Sequence, residues 1–184
     1  MDVRLGHAVP IRRDHDDYPA FYVGNYILGG NFAARLMSTV RDEMGLTYSI
    51  RSSLSGVSTR YVGSWQTSVT LSHDAVDEGI AATTDVIREF VAEGATAEEL
   101  DAKKTTITGS YAVGLATTDR LAQSILTNAE RGFDVAYLDD FPEEIRALTL
   151  DEVNAAIQDY LDPASMQEAL AGTRPRPAEA TAGA

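Results

Sequence analysis

The chain has 184 residues, 44% of them hydrophobic, which is enough to bury a core without covalent staples. It has no cysteine, which excludes disulfides and thiolate zinc sites, and no run reaches the roughly 18 apolar residues of a membrane span. A net charge of −13, spread along the chain, disfavours nucleic acid and anionic membranes as partners.

The start, MDVRLGHAVPIRR, lacks an apolar h-region, so the chain is read as soluble and without a signal peptide. Val3 to Ile11 predicts an opening strand. Pro19 suits the first turn of a helix that carries Phe21, Val23, Tyr26 and Ile27 and stops at Gly29-Gly30. Asn31 is placed to cap a second helix with Leu36, Met37 and Val40 facing inward and Gly45 as its stop.

Two strands follow. In LTYSIRSSL the residues Leu46, Tyr48 and Ile50 alternate with Thr47, Ser49 and Arg51. After a GVSTR turn, YVGSWQTSVTL puts Tyr61, Trp65, Val69 and Leu71 on one face. From Ser72 the period becomes helical. Val76, Ile80, Ile87 and Val91 mark a long helix ending at Gly94. Thr96 with Glu99 forms a capping box for a helix through Leu100, Ile107, Tyr111 and Leu115. Thr117 or Thr118 opens another helix, with Leu121, Ile125 and Ala129, ending at Gly132. A short one carries Phe141 and Ile145. Thr149 with Glu152 caps the last, along Val153, Ile157 and Tyr160, with Pro163 beyond it. Grouped strands before grouped helices predict an α+β fold, an antiparallel sheet with helices packed on one face. Residues 1–172 are expected to form one lobe and 173–184, TRPRPAEATAGA, a flexible tail.

Most catalytic motifs fail on inspection. GNYILGGNF lacks the Gly-Lys-Ser/Thr ending of a phosphate loop and joins two helices, so it reads as an interhelical turn. Of the three histidines, His7, His15 and His73, no two lie at i, i+4 on one helix, and His15 and His73 sit among carboxylates of a polar loop and a helix start rather than in a ligand set. No serine stands in a G-x-S-x-G elbow. The acidic pairs at 98–99, 139–140 and 143–144 complement helix N-termini.

One stretch is more specific: LGGNFAARLMSTVRDEMGLTYSI, residues 28 to 50. Read singly, Arg41 complements a helix C-terminus, and Tyr48 shares a strand face with Leu46 and Ile50 that belongs to the core. Read together, LGG at 28–30, RL at 35–36, and R-x-x-x-G-L-x-Y through Arg41, Gly45, Leu46 and Tyr48 resemble a known signature. It is that of the C-terminal lobe of the pitrilysin/insulinase family, the zinc metallopeptidases with an inverted HxxEH motif. Weaker similarity runs from VRLGHA through GATAEELDAKK to LTLDEVNAAIQDYLDP.

The resemblance implies α+β lobes facing each other across a chamber. It assigns zinc and the general base to a lobe bearing HxxEH, and to the C-terminal lobe an arginine and a tyrosine that reach the bound peptide. The matching residues are Arg41 and Tyr48, as substrate-carbonyl and oxyanion contacts. No cofactor or metal is expected in this chain, and zinc is expected in the partner lobe. That partner is an HxxEH-bearing lobe of the same polypeptide or a separate subunit, with a peptide as substrate. The alternative within the family is a non-catalytic scaffold or processing-complex subunit.

Three features depart from the family pattern. HxxEH is absent, so the chain alone is expected to be inactive; one lobe repeat is present rather than two; and ASMQEALAG, of weak strand propensity, stands where a β-branched closing strand belongs.

Overall fold

The computed structural model describes residues 1–172, so the tail expected at 173–184 lies outside the described residues. Four strands form one antiparallel sheet in the order β2-β3-β1-β4: β1 (Asp2–Val9), β2 (Thr47–Ser55), β3 (Gly63–Leu71) and β4 (Gln167–Ala171). The sheet is built by the period-two pattern of β1 and β3. On the inner face Val3 pairs Val69 and Leu5 pairs Thr67, so that Val3, Leu5 and Val9 share a buried row with Trp65, Val69 and Leu71, while Asp2, Arg4 and Thr70 stay outside.

The helices cover the inner face, as the grouping of strands and helices predicts. They are α1 (Tyr18–Leu28), α2 (Val76–Glu93), α3 (Ala97–Gly114), α4 (Thr118–Arg131), α5 (Tyr137–Ala147) and α6 (Leu150–Tyr160). Central among them, α1 buries Phe21, Val23, Ile27 and Leu28. Its Gly24 lets α6 approach closely, because a Cβ there would stand 2.7 Å from Ile157 Cγ1. Sheet and helix are also joined by a buried polar link, Trp65 Nε1–H donating to Asn25 Oδ1 at 2.9 Å. Both expected capping boxes form, Thr96 with Glu99 and Thr149 with Glu152.

Several local expectations are corrected. The helix expected after Asn31 is wound as a π-helix over Met37–Glu43, with Met44 N donating to Thr39 O five residues back. Asn31 does not cap it. The side-chain oxygen accepts from Ala33 N and the amide donates to Tyr26 O, so the residue shapes a turn instead. Tyr61 lies before β3 and is 70% exposed; the inner-face neighbour of Trp65 is Thr67. On α4 Leu121 and Ile125 remain exposed, and of that helix only Asn128 is buried. MQEAL does supply a closing strand, because β1 offers it a free ladder edge: Val3 pairs Leu170 and Leu5 pairs Glu168. Tertiary pairing overrides weak propensity there.

Candidate functional site

The stretch that opened the question of function folds as three consecutive pieces: a glycine turn, the π-helix and the start of β2. The glycines serve packing. A Cβ on Gly29 would lie 2.6 Å from Ser52 Oγ and 2.8 Å from Leu36 Cδ1, and Gly29 O accepts from Ser52 N at 2.9 Å. No bulkier residue lets the end of α1 seat against β2 this closely.

Arg35 turns out to be structural. Its Nε and Nη2 donate to the two carboxylate oxygens of Glu99 at 2.6 and 2.7 Å, and Nη2 also donates to Gly94 O at 2.9 Å. The guanidinium lies over the Phe90 ring, 4.9 Å from its centroid. Burial alone would raise the Glu99 carboxyl, but Arg35 and the Thr96 N–H together hold it below the usual carboxylate range. Both lysines in the chain are latches as well. Lys103 Nζ donates to Ala33 O at 2.7 Å, and Lys104 Nζ to the carbonyls of Arg146 and Leu148 at the end of α5.

Arg41 occupies the last turn of the π-helix, half-exposed. Its Nη1 donates to Asp42 Oδ1 at 2.8 Å, and its guanidinium stands 4.8 Å from the centroid of the exposed Phe32 ring. Gly45, at φ +66°, then turns the chain into β2. At that point the ladder carries a bulge. Thr47 pairs Leu71 and Ser49 pairs Thr70, so Tyr48 is an extra residue without a partner. The bulge breaks the parity read from the sequence: before it Thr47 is buried and Tyr48 is 94% exposed, while beyond it Ile50 and Ser52 are buried. Thr47 Oγ1–H, donating to Thr70 O at 2.5 Å, and Ser49 N–H, donating to Thr47 Oγ1 at 3.1 Å, hold the irregularity in place. The reading of Tyr48 as a core residue is therefore overturned.

Arg41 and Tyr48 both line a depression of about 780 Å³, bordered also by Gly45, Leu46, Thr47 and Ser72. The arrangement sets a guanidinium and a phenol at one open face, on supports fixed by backbone and packing. An exposed ion pair such as Arg41–Asp42 is worth roughly 0–1 kcal/mol, so a ligand carbonyl or carboxylate can compete for the arginine. Phe32 meets the site only through this contact with the Arg41 guanidinium, and no signal in the sequence marks it apart from its place beside LGG.

The histidines lie apart. His7 Nε2 accepts from Asp162 N, His15 sits in the β1–α1 loop, and His73 precedes α2. Among the described residues no group of three or more His, Cys, Asp and Glu is placed to hold a metal ion. None of the described helices is long and apolar enough to cross a membrane.

Residues 3–107 match the family described as "Peptidase M16 inactive domain". The non-peptidase homolog YmxG of Helicobacter pylori is 26% identical over 162 residues, 87% of this chain and 37% of that protein. The chloroplastic stromal processing peptidase of Pisum sativum is 32% identical over 97 residues, 52% of this chain and 8% of that protein. Among solved structures, the peptidase M16 inactive domain from Pseudomonas fluorescens superposes with a TM-score of 0.81 at 28% identity, over 96% of this chain and 42% of that one. The chain thus spans less than half the length of each of these relatives.

Proposed function

Because the chain belongs to the family of the peptidase M16 inactive domain, we propose that it is the zinc-free, substrate-binding lobe of a zinc metallopeptidase. In this reading Arg41 and Tyr48 contact a peptide whose cleavage is driven from an HxxEH-bearing lobe, on the same polypeptide or on a separate subunit. The observation that carries it is the shared depression: an arginine and a solvent-facing phenol on one side of the lobe.

The chemistry follows from the two side chains. As a peptide carbonyl is attacked, its oxygen gains negative charge, and a phenol O–H can donate to it. A guanidinium can hold a neighbouring carbonyl by two parallel N–H donors, fixing the peptide's register. In this reading zinc and the activation of water fall to the other lobe, because no group of His, Cys, Asp and Glu among the described residues converges as a metal needs. Losing one oxyanion donor costs about 3 kcal/mol of transition-state stabilisation, a factor of roughly 100 in turnover.

The test uses the lobe assembled with its HxxEH-bearing partner. Tyr48→Phe and Arg41→Ala should lower peptide turnover about 100-fold with bound zinc unchanged. Normal turnover in both variants sinks the proposal. That outcome would favour a second reading, a non-catalytic scaffold lobe, which is supported by the relative named a non-peptidase homolog.

A further inference from the structure

A second cavity, of about 160 Å³, lies between the β1–α1 loop, α3, α4 and α5 and shares no residue with the depression at Arg41 and Tyr48. Arg13, Arg131, Tyr111, Thr127, Asn128 and Tyr137 are among its walls. In a chain of net charge −13, two guanidinium groups border this one small space. Neither forms an ion pair with a carboxylate among the described residues. Both arginines are only partly exposed, and two cations that share one small space with limited access to water repel each other unless an anion stands between them.

The donors are also incompletely used. Arg13 Nη1 donates to the Tyr18 hydroxyl at 2.8 Å, but Arg13 Nε and the Tyr111 hydroxyl are buried without a hydrogen-bond partner. Asn128 lies beside that hydroxyl outside hydrogen-bonding geometry. Burial and the adjacent Arg13 both push the Arg131 guanidinium below its ordinary value, and Tyr18, Tyr137 and Glu130 offset that shift only in part. Asp139 and Glu144 act on Tyr111 and Tyr137 through space without bonding to either guanidinium.

The backbone holds this arrangement firmly. The β2–β3 loop reaches both arginines: Arg13 N donates to Ser58 O at 3.1 Å, and Thr59 Oγ1 donates to Arg131 O at 2.6 Å. Gly132, at φ +93°, ends α4 just beyond, and a Cβ there would collide with Thr59 Oγ1. Donors converge from the loop, from α3 and from the end of α4. Convergence from three elements suits a ligand with oxygens in several directions better than a planar carboxylate.

We propose that this cavity binds a phosphate-class oxyanion, with Arg13 and Arg131 as its charge partners and the Tyr111 hydroxyl as a third donor. The ligand is inorganic phosphate or a phosphate group borne on a larger molecule. The site is independent of the peptidase reading, and its test does not involve peptide turnover.

The full chain is titrated with inorganic phosphate and, separately, with phenyl phosphate, at ionic strength held constant with sodium chloride. Thermal midpoint and phosphorus NMR linewidth are followed. Saturable responses to phosphate beyond the chloride control are expected, with half-saturation at least tenfold weaker in Arg131→Gln and unchanged in Arg88→Gln, an exposed arginine of α2. Tyr111→Phe keeps the ring against Phe141, 5.2 Å between centroids, and is expected to weaken binding severalfold. Tighter saturation by phenyl phosphate assigns the group to an organic carrier; tighter saturation by inorganic phosphate assigns the free ion. No response beyond chloride, or one retained in both Arg131→Gln and Tyr111→Phe, overturns the proposal.

Discussion

Arg35 and Glu99, 64 residues apart in the chain, meet through two parallel hydrogen bonds of 2.6 and 2.7 Å, and the same carboxylate closes the capping box of α3 by accepting from Thr96 N at 2.8 Å. One carboxylate thus ties the start of α3 to the segment that leads into the π-helix. Glu99→Gln keeps the shape and removes the charge, and charge-assisted bonds of this kind contribute about 2 kcal/mol. The folded-state value of Glu99 is lowered from 4.5, so its contribution is present above pH 4.5 and is lost as pH falls through the lower folded value. Urea midpoints of wild type and Glu99→Gln are expected to differ at pH 7 and to converge in acid. A gap that stays constant down to about pH 3 would contradict the assignment.

The Trp65–Asn25 bond should be costly to break. Trp65→Phe leaves the buried Asn25 Oδ1 without its donor and opens space beside it, a loss of about 3 kcal/mol by chemical denaturation followed with circular dichroism. Since Trp65 is the one tryptophan and is fully buried, wild-type fluorescence should be blue-shifted when folded and move to the red in the same transition that circular dichroism reports.

Two glycines should respond to alanine with opposite signs. Gly29→Ala drives a methyl into Ser52 and Leu36 and is expected to destabilise by about 1–3 kcal/mol. Gly109 is exposed in the middle of α3, where an added methyl would meet nothing within 4 Å, so Gly109→Ala should stabilise by about 0.5–1 kcal/mol. Thermal midpoints moving in the same direction would show that the close seat of α1 on β2 is not what Gly29 provides.

At the candidate site, stability and chemistry should separate. Tyr48→Phe changes a solvent-facing hydroxyl, so its unfolding free energy should stay within about 0.5 kcal/mol of wild type. Gly45→Ala forces a side chain onto φ +66° and should cost about 1 kcal/mol, although no atom crowds it. Equilibrium denaturation of both variants checks this pair.

Features set by local chemistry were the readable ones. Thr96 and Glu99, or Thr149 and Glu152, declare a helix start within four residues, and both starts are where the sequence puts them. The alternation Leu46, Tyr48, Ile50 misled because a bulge is a relation between two strands, and β2 alone contains no sign of it. The π-winding of Met37–Glu43 was invisible for a similar reason, since its residues suit an ordinary helix equally well. Arg35 illustrates the remaining gap. The sequence marks it only as part of the RL in the shared signature, and the return of Glu99 through the fold makes it internal framework. Arg41 and Tyr48 belong to a motif shared with known proteins, whereas Arg13 and Arg131 carry no motif and become neighbours only when α4 ends beside the β1–α1 loop.

The unpaired position in β2 also bears on how such a lobe can diverge. Residue 48 contributes almost nothing to the interior, so its identity can be exchanged while the architecture behind it stays constant. The phenol can be kept, swapped or discarded on this frame, so a lobe that carries it and one that lacks it can share the same skeleton and the same robustness.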